Sequence, residues 1–79
     1  MTEEGLRNTL KVQRAMRNLT QADLAALAGV TRKSVNAIET GRMTPSVVLA
    51  LKLTRALGVS VETIFSLDGG QEPEPSSSS

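Results

Sequence analysis

Residues 21–40 read QADLAALAGVTRKSVNAIET, and the punctuation of this stretch decides the fold. Thr20, just ahead of it, is a helix N-cap, and Asp23 falls in the first turn, where a carboxylate is favourable. Gly29 supplies the positive φ at which that helix ends, and Thr31 caps a second one. Ala25 puts a small side chain where the two helices cross. Val35 and Ile38 face back toward the first helix. The spacing predicts two short amphipathic helices joined by a turn of three or four residues.

The same devices organise the flanks. Leu19/Leu24, Val30/Val35 and Val59/Ile64 stand at N′ and N4 around Thr20, Thr31 and Ser60, the spacing of a hydrophobic staple behind a cap. A helix over 6–17 is expected to bury Leu6, Leu10 and the Ala15/Met16 region. Asn18 follows it as the non-glycine residue that best tolerates a left-handed helix end. A fourth helix lies between Pro45 and Gly58, with Leu49, Leu53, Ala56 and Leu57 at helical spacing. Its cap is Ser46, or Thr44 with Pro45 at N1, the former preferred. A fifth starts at Ser60. The expectation is all-α: five helices over 6–67, a lead at 1–5, and a disordered acidic, Ser-rich tail at 68–79, which holds no apolar residue.

Composition narrows the functions. Of 79 residues, 39% are hydrophobic, with one Phe and no Trp or Tyr, a profile of helix formers. Cys and His are both absent, so disulfides, thiolate metal sites and the commonest general base are excluded. The scattered carboxylates form no catalytic pair, so the reading is not an enzyme, with no metal and no cofactor. No apolar run approaches a membrane span, and a cytoplasmic location is expected. The overall charge of +1 hides a segregation. Glu3, Glu4, Asp68, Glu72 and Glu74 lie at the ends. Between them nine Lys/Arg face only Asp23, Glu39 and Glu62, a surplus of +6 that suits a polyanion partner.

The second helix of a helix-turn-helix can enter the DNA major groove, which assigns roles within 31–39. With Val35 and Ile38 inward, Arg32, Lys33, Asn36 and the small Ala37 fall on the outward faces. Arg and Lys can donate to guanine O6 and N7, and Asn can bond adenine twice. Gln21, Thr31, Ser34 and Arg42 are backbone-positioning candidates, although Thr31 is first a cap and Ser34 suits an ordinary surface equally well. Glu39 makes little sense facing DNA. It is expected to pair with Arg14 and brace the reading helix.

Four segments, LKVQRAMRNLTQADLA, GVTRKSVNAIETGR, TPSVVLALKLTRALG and GVSVETIF, resemble in order the Cro/repressor-type, or Xre-like, helix-turn-helix regulators. The resemblance spans about 6–67 and looks closest to members with no sensor domain. It implies a five-helix lambda-repressor-like fold and a homodimer on an approximately palindromic operator. Arg32, Lys33 and Asn36 would reach bases, and Gln21 and Arg42 phosphates. Gln13, where leucine is common, Met16, where a charge is usual, and Asn18, where glycine is usual, depart from the pattern. Val61, Ile64, Phe65 and Leu67 are the candidate dimer surface, although for Phe65 alone a place in the core is the favoured reading in a chain so poor in aromatics. Double-stranded DNA is thus the expected partner of a dimeric repressor. An antitoxin that binds a protein toxin and represses its own operon is the alternative, and a protein-interaction module with little DNA affinity the third.

Overall fold

A computed structural model describes residues 6–67; the expected lead and tail lie outside the described residues. The order is β1 (Leu6–Asn8), α1 (Leu10–Met16), α2 (Gln21–Ala28), α3 (Arg32–Glu39), α4 (Val47–Leu57), α5 (Val61–Ile64) and β2 (Phe65–Leu67). The five helices are those the caps mark out. Thr20 forms a reciprocal capping box with Asp23, each side chain taking the other's backbone N–H at 2.9 Å. Those bonds, first to the Thr20 backbone and then to its side chain, hold the Asp23 carboxyl below its ordinary pKa. Thr31 accepts from the Ser34 N–H at 3.0 Å, and Ser46, not Thr44, caps α4 through the Leu49 N–H at 3.1 Å.

The helix ends are equally local in origin. Gly29 closes α2 at φ 74°, and Asn18 adopts φ 57° beyond α1, the left-handed region where an asparagine can replace glycine. Leu10, Leu24, Val35, Ile38, Leu53 and Ile64 form the fully buried centre, ringed by Ala25, Ala28, Leu57 and Phe65. α2 packs on both α3 and α4, and α1 reaches α3. Burial of each of these large aliphatic side chains stabilises the fold by roughly 1.5–3 kcal/mol.

Two expectations need correction. The first helix begins at Leu10 rather than Leu6, because residues 6–8 pair antiparallel with 65–67, Leu6 opposite Leu67 and Asn8 opposite Phe65. Asn8 then starts α1 from outside it. Its Oδ1 accepts the Leu10 N–H at 3.1 Å, while its Nδ2 donates to the Ile38 carbonyl at 3.0 Å. Thr9 adds a backbone bond to the Ile64 carbonyl at 2.8 Å. Leu6 leaves the helix for the ribbon and is exposed; Ala15 and Met16, within α1, are exposed as well, and Leu10 alone of the expected set enters the core. The fifth helix is a single turn. Ser60 stands at its N-cap position, but its hydroxyl meets the Thr63 hydroxyl at 2.9 Å rather than a backbone N–H.

Asn8→Ala removes both a helix-start acceptor and the tie to α3. It should lower unfolding free energy by about 1–3 kcal/mol, read from urea denaturation, with the spectrum of the folded state unchanged.

Candidate nucleic-acid interface

The amphipathic period of α3 separates an anchored side from a free one. Val35 and Ile38 are buried, whereas Thr31, Arg32, Lys33 and Asn36 are exposed, and Ser34 and Ala37 half-buried. Arg32 and Lys33 hold no side-chain hydrogen bond or ion pair among the described residues. Two free cations in the first turn oppose the helix dipole, an arrangement relieved by an incoming anion. Arg42 is exposed just past the end of α3. Thr31 is committed to its own helix: its hydroxyl takes the Ser34 N–H and donates to Ser34 Oγ at 2.9 Å.

Beneath this surface lies the expected brace. Arg14 Nε donates to Glu39 Oε2 at 2.7 Å and Nη2 to Oε1 at 3.2 Å, a two-pronged pairing with side chains 15% and 3% exposed. The remaining prong, Nη1, donates to the Leu19 carbonyl at 2.8 Å. Arg14 therefore joins α1, the entry to α2 and the end of α3. Burial alone would raise the Glu39 pKa. The Arg14 and Gln21 hydrogen bonds and the charges of Arg14 and Lys11 outweigh it, so the carboxyl titrates below its ordinary value. Arg14 is correspondingly held above its own, chiefly by the bond to Glu39.

Gln21 makes contacts that the sequence reading does not include. Its Nε2 donates to Glu39 Oε1 at 3.0 Å and to Asn36 Oδ1 at 3.2 Å, so both amide protons point into the protein. In this DNA-free arrangement the Gln21 amide is engaged with two side chains of α3. Asn8, which grips the last turn of α3, escaped the sequence reading because its partner stands 30 residues away. Among the dimer candidates, Ile64 and Phe65 are part of the monomer core, Val61 is half-buried and Leu67 exposed. The surface available to a second chain from that set narrows to Val61 and Leu67.

A helix fixed on its inner side, cationic on its outer side and crossed by a partner through a left-handed glycine turn defines a DNA-binding helix-turn-helix domain. The helix-turn-helix family model matches residues 10–64, and the chain belongs to that family, among its Xre-like transcriptional regulators. It is 48% identical over 60 residues to an uncharacterised HTH-type transcriptional regulator from Methanocaldococcus jannaschii, covering 76% of this chain and 91% of that one. A second such regulator, YgzD of Bacillus subtilis, is 40% identical over 63 residues, with 80% and 96% covered. Of solved structures, the restriction-modification controller protein C.AhdI from Aeromonas hydrophila superposes with a TM-score of 0.66 at 35% identity. The match covers 68% of this chain and 82% of that one.

The Glu39 pairing gives a pH signature. Unfolded, the carboxyl binds a proton near its ordinary pKa of 4.5; folded, it does so only at lower pH. In that window the unfolded state holds more protons, so stability falls as pH drops from about 4.5 through the lowered native value. Glu39→Gln should cost about 3 kcal/mol at neutral pH and flatten the acid limb of thermal midpoint against pH, with the lowered Asp23 carboxyl still contributing to that limb.

Proposed function

We propose that the protein is a sequence-specific repressor that binds an approximately palindromic operator as a homodimer, one α3 per half-site in the major groove. The observation that carries this reading is the pair of uncommitted cations, Arg32 and Lys33, on the exposed side of a helix whose other side is buried and braced. Either can donate to guanine O6 and N7, while Asn36 brings an amide to a base edge. Ser34, Arg42 and the backbone N–H groups opening α2 and α3 position the phosphates. Repression follows from occupancy: a bound dimer blocks polymerase without an effector or a catalytic step. No helix among the described residues is long and apolar enough to cross a membrane, which accords with a regulator acting in the cytoplasm.

The second chain is expected to meet Val61 and Leu67, with Leu6 beside Leu67 across the two-stranded ribbon. Both leucines are exposed. The antitoxin role is the second reading, favoured by the exposed Val47, Val48 and Leu51 at the start of α4, where a protein partner could dock away from α3.

Selection of bound duplexes from a random pool should yield two half-sites about 10 base pairs apart. Arg32→Ala should cost about 1–3 kcal/mol and relax one base position per half-site; an unchanged motif would remove Arg32 from the reading set. Affinity for random duplex should drop steeply between ~50 and 200 mM salt, and a flat response would exclude phosphate contacts. Leu67→Asp should convert a two-chain particle in sedimentation velocity into single chains without loss of helicity.

A further inference from the structure

The exit from α3 is held by hydrogen bonds rather than by packing. Thr40, Gly41 and Arg42 are all exposed, so no buried side chain fixes the course of the backbone there. The Gly41 N–H donates to the Ile38 carbonyl at 3.1 Å and the Arg42 N–H to the Ala37 carbonyl at 2.8 Å, with Gly41 at φ 78°. These are the two nested bonds of a Schellman turn, and Arg42 is the residue that closes it. A carbonyl oxygen can accept twice. The second bond to the Ile38 oxygen comes from Asn8 Nδ2 at 3.0 Å, out of strand β1. Asn8 is itself held, its Oδ1 by the Leu10 N–H at 3.1 Å and its backbone by pairing opposite Phe65. The Arg42 side chain has no hydrogen bond or ion pair among the described residues.

We propose that Asn8 is the positioning residue for a phosphate contact made by Arg42, fixing the turn through the Ile38 carbonyl so that the guanidinium projects from a set place beside α3. The last turn of α3 carries the negative pole of the helix dipole, which disfavours a phosphate, so a cation there has to be placed well to make the contact favourable. Ordering a long arginine on a loose backbone would cost conformational entropy at binding, and a turn bonded from two elements has already lost that freedom on folding. The inference rests on the reading of α3 as the DNA-bound helix with Arg42 on a phosphate, and adds to it the residue of another element that fixes this contact.

The test is binding of random-sequence duplex by the full chain between ~50 and 200 mM salt, for wild type, Arg42→Ala, Asn8→Ser and the double variant. Each is measured at a temperature where far-ultraviolet circular dichroism shows it folded. Serine can still accept the Leu10 N–H, since its hydroxyl forms the same local turn as an asparagine, but it is too short to reach Ile38. Each phosphate contact adds about 0.9 to the slope of log affinity against log salt. Arg42→Ala should lose that increment, so the affinity ratio between the two salt concentrations shrinks about threefold. Asn8→Ser should show a slope nearer to that of Arg42→Ala than to wild type, and should change neither slope nor affinity further once Arg42 is alanine. A slope nearer to wild type in Asn8→Ser, whatever its melting temperature, overturns the proposal, because a purely structural contact behaves in that way. An equal loss of affinity in both backgrounds overturns it too. Should Asn8→Ser fail to fold, Asn8→Asp keeps the shape and the acceptor for Leu10 without a donor for Ile38. Its added charge acts in both backgrounds, so the difference between backgrounds is what is read, and no difference overturns the proposal. If Arg42→Ala itself keeps the wild-type slope, Arg42 leaves the phosphate set and the proposal falls with it, while base reading by Arg32 is decided separately by the duplex selection.

Discussion

One guanidinium and one carboxylate hold α3 in place. Arg14 uses Nε and Nη2 on Glu39 and Nη1 on the Leu19 carbonyl, so a single planar group spans α1, the approach to α2 and the last turn of α3. A lysine could not do this, because its ammonium lacks the fixed fork. With Glu39 only 3% exposed, the pair is nearly desolvated, and pairs of that kind contribute more to registry than to net stability. The hydrophobic contacts of Val35 and Ile38 bring α3 to the core but tolerate small rotations. The two-pronged bond does not.

The same pair answers an electrostatic difficulty. A bare carboxylate on the helix that meets DNA would repel phosphates, and at short range salt would screen it poorly. Glu39 is turned inward, neutralised by Arg14 and bonded by Gln21, so it adds little to the outward field. Arg32, Lys33 and Arg42 are exposed on the opposite terms. Sign and burial are thus sorted residue by residue: the acid is kept where it orients other side chains, and the bases where solvent or a polyanion can reach them.

How much of this the sequence reveals depends on range. The capping box at Thr20 and the caps at Thr31 and Ser46 are bonds between residues three apart, and the left-handed ends at Asn18 and Gly29 depend on one residue each. All were legible. The Arg14–Glu39 pairing spans 25 positions, yet it could be read because an acid in a basic stretch demands a partner. The ribbon could not. LRN and FSL are three residues each, too short for an alternating pattern, and neither carries a turn signal pointing to the other. Reading residues 6–9 as helix, and Leu6 as buried, follows from that silence. The Gln21 bonds to Glu39 and Asn36 are not legible locally, since nothing nearby distinguishes an amide facing solvent from one facing Glu39.

The missed ribbon is also what connects the ends of the chain to α3. Asn8 lies opposite Phe65 in the β1–β2 register, and Phe65 is part of the core. From that position Asn8 bonds the Ile38 carbonyl at the end of α3 while starting α1 with its other amide atom. Leu67 lies two residues beyond Phe65 on the same strand, its side chain on the same face of the ribbon and opposite Leu6. In the proposed dimer, a second chain meeting Leu67 is therefore separated from α3 by a strand pair and one amide. Coupling of that kind would set the separation of the dimer's two α3 helices by covalent and hydrogen-bonded geometry, which is what reading half-sites at a fixed spacing requires.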